Sequence, residues 1–171
     1  DLWNNLFPEQ IDGRDPREYL LHVSWYRPRD MFRIMLIAQD QHPNETSFSA
    51  KVLKSIRKEY ASASWTELTE ELSTSYKDQE LESLRHLLFG FRQIFTISDL
   101  DTHAQQRAVD YPGVRALLDA HELRKIVADL YRIGLIGNHI SKNKTFRFAF
   151  RGDPDVIFGE CLYVHNALRS L

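Results

Sequence analysis

Apolar residues recur at helical spacing along most of this chain, and the period changes near its end. Asp15-Pro16 opens a first helix, with proline in its first turn and Glu18 at the positive end. Tyr19, Leu20 and Val23, with Trp25 beyond them, form its apolar side. Arg27-Pro28 stops that helix, because the residue before a proline avoids helical dihedrals. A second helix is predicted from Pro28 to Gln41. Met31, Ile34, Met35 and Ala38 follow the i, i+3, i+4, i+7 rule, and Phe32, Leu36 and Ile37 widen the stripe, which predicts burial on most sides. After a polar loop, Ser47 or Ser49 caps a helix carrying Val52, Leu53, Ile56 and Tyr60. Ala61-Ser62-Ala63-Ser64 reads as a linker before a short helix bearing Trp65, Leu68 and Leu72.

A boundary between two subdomains is expected within 61–79, giving a helical part over 1–78 and a second part over 79–171. The second part opens with Leu81, Leu84, Leu87, Leu88 and Phe91 on one helix. Thr96 and Asp99 then have the spacing of a capping box, with Asp in place of Glu or Gln. Tyr111-Pro112-Gly113 marks a turn. A further helix runs to Ile133, interrupted near Ala120, with Leu117, Leu118, Leu123, Ile126, Val127 and Leu130 facing inward. Gly134 ends it, since glycine enters a left-handed cap without steric cost. Leu135 and Ile136 then begin a strand. The returning strand, Thr145 to Phe150, alternates with period two, and Ser141-Lys142-Asn143-Lys144 turns between them. One more strand is expected within Val156 to Val164, then a terminal helix to Leu171.

A helix passing directly into a basic hairpin has the layout of a recognition helix and wing. The fold class is therefore read as mainly α with a small antiparallel β wing, the second part being a winged helix-turn-helix. Charge sharpens this reading. Net charge is only -2, so the chain as a whole is no polycation. From Gly113 to Arg151, however, eight basic residues face three acids, whereas from Ala61 to Asp101 eight acids face three basic residues. Candidate nucleic-acid contacts on the helical part are Arg115, His121, Arg124, Lys125 and Arg132. On the wing they are His139, Lys142, Asn143, Lys144 and Arg147. Arg124 and Lys125 suit guanine edges, and Lys142 and Lys144 suit phosphates. A protein partner is the equal alternative, because Asp119, Glu122 and Asp129 on the same helical stretch repel phosphate.

No catalytic or metal-binding pattern emerges. The seven histidines lack zinc spacing, and His121-Glu122 continues as Leu-Arg-Lys, which breaks the zinc-protease motif. Cys161 stands alone, which precludes an intrachain disulfide and fits a reducing, cytoplasmic setting. Glu82 and His86 read as a surface pair at i, i+4. Trp3, Phe7, Trp25, Tyr26 and Trp65 are read as core rather than as stacking platforms. No apolar run reaches membrane-spanning length. The expectation is a part without catalysis, cofactor or membrane contact. Its partners are taken to be DNA, another domain of the same protein or a second copy through the acidic stretch from Glu67 to Glu82. The sequence opens on Asp1, not Met, and is read as a piece of something longer.

The stretch Arg27-Pro28-Arg29-Asp30-Met31-Phe32-Arg33-Ile34-Met35-Leu36-Ile37-Ala38, with the later Leu130 to Gly137 run, resembles the C-terminal region of P-loop ATPases of the AAA+ and STAND type. The first stretch looks like the lid helix. The order of lid, helix and winged helix is similar to that of origin-recognition-type initiators. The Arg-Pro-Arg-Asp form is closer to bacterial ATPases of uncharacterised role, some associated with phage defence. The resemblance implies a nucleotide-sensing arginine at the start of the lid helix, which is Arg29 here, with Arg27 as alternative. A surface ion pair with Asp30 or Asp15 is the plainer role for either. The Gly-x-x-x-x-Gly-Lys-Ser/Thr loop is absent from this sequence. ATP and Mg²⁺ would therefore belong to an upstream domain of the parent.

Overall fold

The computed structural model describes residues 2–25, 27–88, 90–143 and 145–170. It is mainly helical with one small antiparallel sheet. The chain divides into two compact units, Asp1–Trp65 with Asn166–Leu171, and Thr66–His165. The last six residues belong to the first unit.

In the first unit, α1 spans Leu2–Leu6, α2 Pro16–Val23, α3 Pro28–Gln41 and α4 Ala50–Ser55. Asp15 caps α2 by accepting the Arg17 N–H at 2.8 Å, and Ser49 caps α4 by accepting from Val52. α3 has the predicted bounds, but only Asp30, Ile34 and Ala38 are buried along it. Phe32 and Leu36 are 65% and 58% exposed, which corrects the expectation of burial on most sides. One i, i+4 row suffices to seat this helix. Ile11, Leu20, Ile34, Leu53 and Ile56 are almost wholly buried and form the core. Fully burying each contributes about 2 kcal/mol.

The unit boundary falls inside α5, Arg57–Leu72, which runs straight through the expected linker at 61–64. Ala61, Ser64, Trp65, Leu68 and Leu72 are buried at spacings of three and four, so this stretch is an amphipathic helix interior.

In the second unit, α6 spans Asp78–Leu88, β1 Ile94–Phe95, α7 Ile97–Asp110, α8 Pro112–Ala120 and α9 Leu123–Arg132. The capping box at α7 forms in both directions: Thr96 Oγ1 accepts the Asp99 N–H and Asp99 accepts the Thr96 N–H. β2 spans Ile136–Ile140, β3 Thr145–Arg147 and β4 Cys161–Val164. They order as β1-β4-β2-β3, every neighbour antiparallel. Gly134 has φ 81° and carries the chain from α9 into β2, as its sequence predicted.

The return strand is shorter than its alternation implied. After Arg147 the chain tightens into a 3-10 turn at Ala149–Arg151, ended by Gly152 at φ 90°. The expected terminal helix is likewise only a 3-10 turn at Asn166–Leu168. Among the described residues no helix is long and apolar enough to cross a membrane, and no group of His, Cys, Asp and Glu could hold a metal ion.

Candidate nucleic-acid interface

α9 has the sharpest division of the chain between buried and exposed sides. Ile126, Val127, Leu130 and Tyr131 are buried, and the helix packs on β2. The opposite side presents Arg124, Lys125 and Arg132 to solvent. A two-residue turn, His121-Glu122, separates α9 from α8, which packs against α6 and α7. Arg115 is exposed on α8. The hairpin adds Lys142, exposed at the turn, and His139 and Arg147, half-buried on facing strands. Lys144 lies outside the described residues.

Charge pairing divides these candidates. Asp129, one turn beyond Lys125, receives its ammonium at 2.6 Å and faces the Arg132 guanidinium at 3.6 Å. The Tyr76 hydroxyl donates to the same carboxylate at 2.8 Å. Burial alone would raise the Asp129 pKa. The hydrogen bonds from Lys125 and Tyr76, with the nearby cations, outweigh it and hold the carboxyl below its ordinary range. Tyr76 is pushed upward by burial and by the same bond. Arg147 donates through Nε and Nη2 to Asp153 at 2.9 and 2.5 Å, so it ties the hairpin to the following loop. His121 meets Glu80 at 2.9 Å, and its ring lies 4.9 Å from that of Tyr76. Glu80 is lowered first by the Lys77 N–H and then by His121.

Among the described residues, Arg115, Arg124 and Lys142 have no carboxylate partner. Arg124 instead stacks over the Phe158 ring at 4.8 Å, a contact not anticipated from the sequence. The loop bearing Phe158 is held by Asn138, which is wholly buried in β2. Its amide donates to the carbonyls of Ile157 and Cys161 and accepts the Ile157 N–H. No spacing rule links positions 124 and 158; the sheet register creates the contact. His139 faces Phe146 across the hairpin, with ring centroids 5.0 Å apart, which favours a packing role.

Arg27 and Arg29 belong to the other unit. Arg27 is half-buried at the start of α3 and Arg29 is exposed in its first turn. Asp30 is buried with Arg33 at 3.8 Å, and Asp15 caps α2.

Residues 1–69 match the model of a family described as a FunZ-associated C-terminal helical domain. The match covers nearly all of the first unit and ends within α5, and the helix-and-hairpin unit lies beyond it. No curated protein and no solved structure matches the chain.

Proposed function

We propose that this chain is a non-catalytic C-terminal module of a P-loop ATPase, and that its second unit binds duplex DNA as a winged helix. α9 would enter the major groove and the β2–β3 hairpin would follow the backbone. The observation that carries this is the exposed side of α9, continued through Gly134 into the hairpin, with Arg115, Arg124 and Lys142 without acidic partners among the described residues. Arg124 would read base edges, and Lys142 with Lys144 would hold phosphates. The similarity of residues 1–69 to a C-terminal helical domain agrees with a module placed after another domain. In this reading Arg29, exposed at the start of α3, contacts the nucleotide of the parent's catalytic domain, with Arg27 as the alternative. ATP and Mg²⁺ would be held by that domain.

Titration of a duplex at several salt concentrations tests the DNA reading. Simultaneous reversal of charge at Arg124, Lys142 and Lys144 should weaken binding and flatten its salt dependence. Equal binding by both proteins would remove it.

A protein-contact reading has its own support. Glu70, Glu71, Asp78 and Glu82 are exposed along α5 and α6, an acidic surface suited to a basic partner or a second copy. A stable dimer in sedimentation, without DNA affinity, would favour it.

A further inference from the structure

α3 leaves one side uncovered. Ile34 and Ala38 seat the helix, and Phe32 and Leu36 lie on the opposite side, one turn apart and mostly exposed. Among the described residues, the other exposed large apolar side chains stand singly on their elements. A lone exposed apolar residue is ordinary surface, whereas an adjacent pair on one helix side calls for a cover. Arg29 precedes Phe32 by three residues and Asp40 follows Leu36 by four. The four therefore share one stripe, and all are exposed.

The charge order along this stripe runs against the helix itself. The macrodipole favours acids in the first turn and cations in the last, yet Arg29 stands in the first turn and Asp40 in the last. A second copy turned end for end does account for that order. A twofold axis level with Ile34 sets Phe32 of each copy against Leu36 of the other. The same rotation brings Arg29 level with Asp40 of the other copy, to within one residue's rise of about 1.5 Å. Both charged positions lie on the same flank of the stripe, so they meet across the contact. A parallel pairing would instead set Arg29 on Arg29 and Asp40 on Asp40. Arg33 sits at the margin near the axis, with Asp30 at 3.8 Å to offset its approach to the other Arg33.

We propose that α3 is a dimerisation helix. Two copies of this chain associate through an antiparallel contact of Phe32 with Leu36, closed at each end by Arg29 and Asp40. The stripe is its own complement in apolar area and in charge, as a twofold interface requires. One helix from each copy gives a small interface, so the dimer is reversible and concentration-dependent. The contact is separate from α9 and from the acidic surface of α5 and α6. It occupies Arg29, and a nucleotide contact then falls to Arg27, which lies off the stripe.

Sedimentation equilibrium of the intact chain over a range of concentrations tests the proposal. The unaltered chain should dimerise. Leu36→Ala removes apolar contact from both halves and should raise the dissociation constant about a hundredfold, about tenfold for each copy. Alanine is the better helix former, so this loss would not come from melting α3. Arg29→Asp or Asp40→Arg alone opposes like charges twice and should raise the constant about tenfold. Both reversals suit the macrodipole, so neither weakens the helix. The two combined should restore the constant to within about threefold of the unaltered chain. Glu70→Lys with Glu71→Lys should leave the dimer intact. The proposal is overturned by a monomer at every concentration up to about 1 mM, by a dimer indifferent to Leu36→Ala, by failure of the combined reversal to recover it, or by its loss on reversing Glu70 and Glu71.

Discussion

Asp129 sets how much positive charge α9 can offer, and replacing it by asparagine isolates that effect. The carboxylate engages Lys125 at 2.6 Å and Arg132 at 3.6 Å, so two of the three cations on the exposed side are locally neutralised. Asparagine keeps an oxygen to accept the Tyr76 hydroxyl but removes the charge. The lost ion pairs are largely exposed at Lys125 and Arg132, so the cost in stability is about 1 kcal/mol. The gain in phosphate contacts is larger. Each contact adds about 0.9 to the slope of log K against log salt. Arg115, Lys142 and Lys144 alone give a slope of about -2.7, and two further cations take it to about -4.5. Between 50 and 200 mM salt, the variant should therefore lose about twelvefold more affinity than the unaltered chain. Fluorescence anisotropy with a labelled duplex measures both slopes. Identical slopes would refute the placement of α9 on the phosphate backbone.

Asn138→Leu removes three hydrogen bonds from a wholly buried site and should cost about 3 kcal/mol in urea unfolding; a loss below about 1 kcal/mol would contradict its role in clamping the 157–161 loop. At Gly137 an added Cβ would lie 2.5 Å from the Phe148 ring and 2.6 Å from the Arg147 carbonyl. Gly137→Ala should therefore lower stability by about 1–3 kcal/mol, visible in the melting temperature. Thr96→Ala breaks the capping box of α7 and should cost about 1 kcal/mol in the same assay. Acid should destabilise the chain through three carboxyls. The Lys77 N–H lowers Glu80, the Thr96 N–H lowers Asp99, and Lys125 and Tyr76 lower Asp129 against its burial. Their folded pKa values lie below the unfolded ones, so this stabilisation is present above the unfolded values and disappears as pH falls through the folded ones. The melting temperature should drop between about pH 5 and about pH 3, and a flat profile would contradict the assignment.

Local chemistry was legible in the sequence wherever one short stretch carries the whole signal. Pro28 to Gln41, the Asp15 cap, the Thr96–Asp99 capping box and the Gly134 turn are all of this kind. The stretch at 61–64 misled because serine and alanine also suit linkers. The evidence for helix lay in the burial row Ala61, Trp65, Leu68 and Leu72, which crosses the supposed gap. Phe148 and Phe150 kept the alternation of a strand, yet their rings stack 5.0 Å apart where the backbone tightens after Arg147. For the candidate interface, the i, i+4 pairing of Lys125 with Asp129 was readable, whereas Arg147 with Asp153 and Arg124 with Phe158 depend on the hairpin and its loop. Asn166 meets the His22 ring because the C-terminal residues return to the first unit, which no spacing rule anticipates.

Amide chemical-shift mapping with an unlabelled duplex tests the central claim most directly. The account predicts that the largest shifts fall on residues 121–132 and 140–147, with none of comparable size along α5 and α6. Shifts centred on the acidic surface of those two helices, or no shifts at low salt, would contradict it.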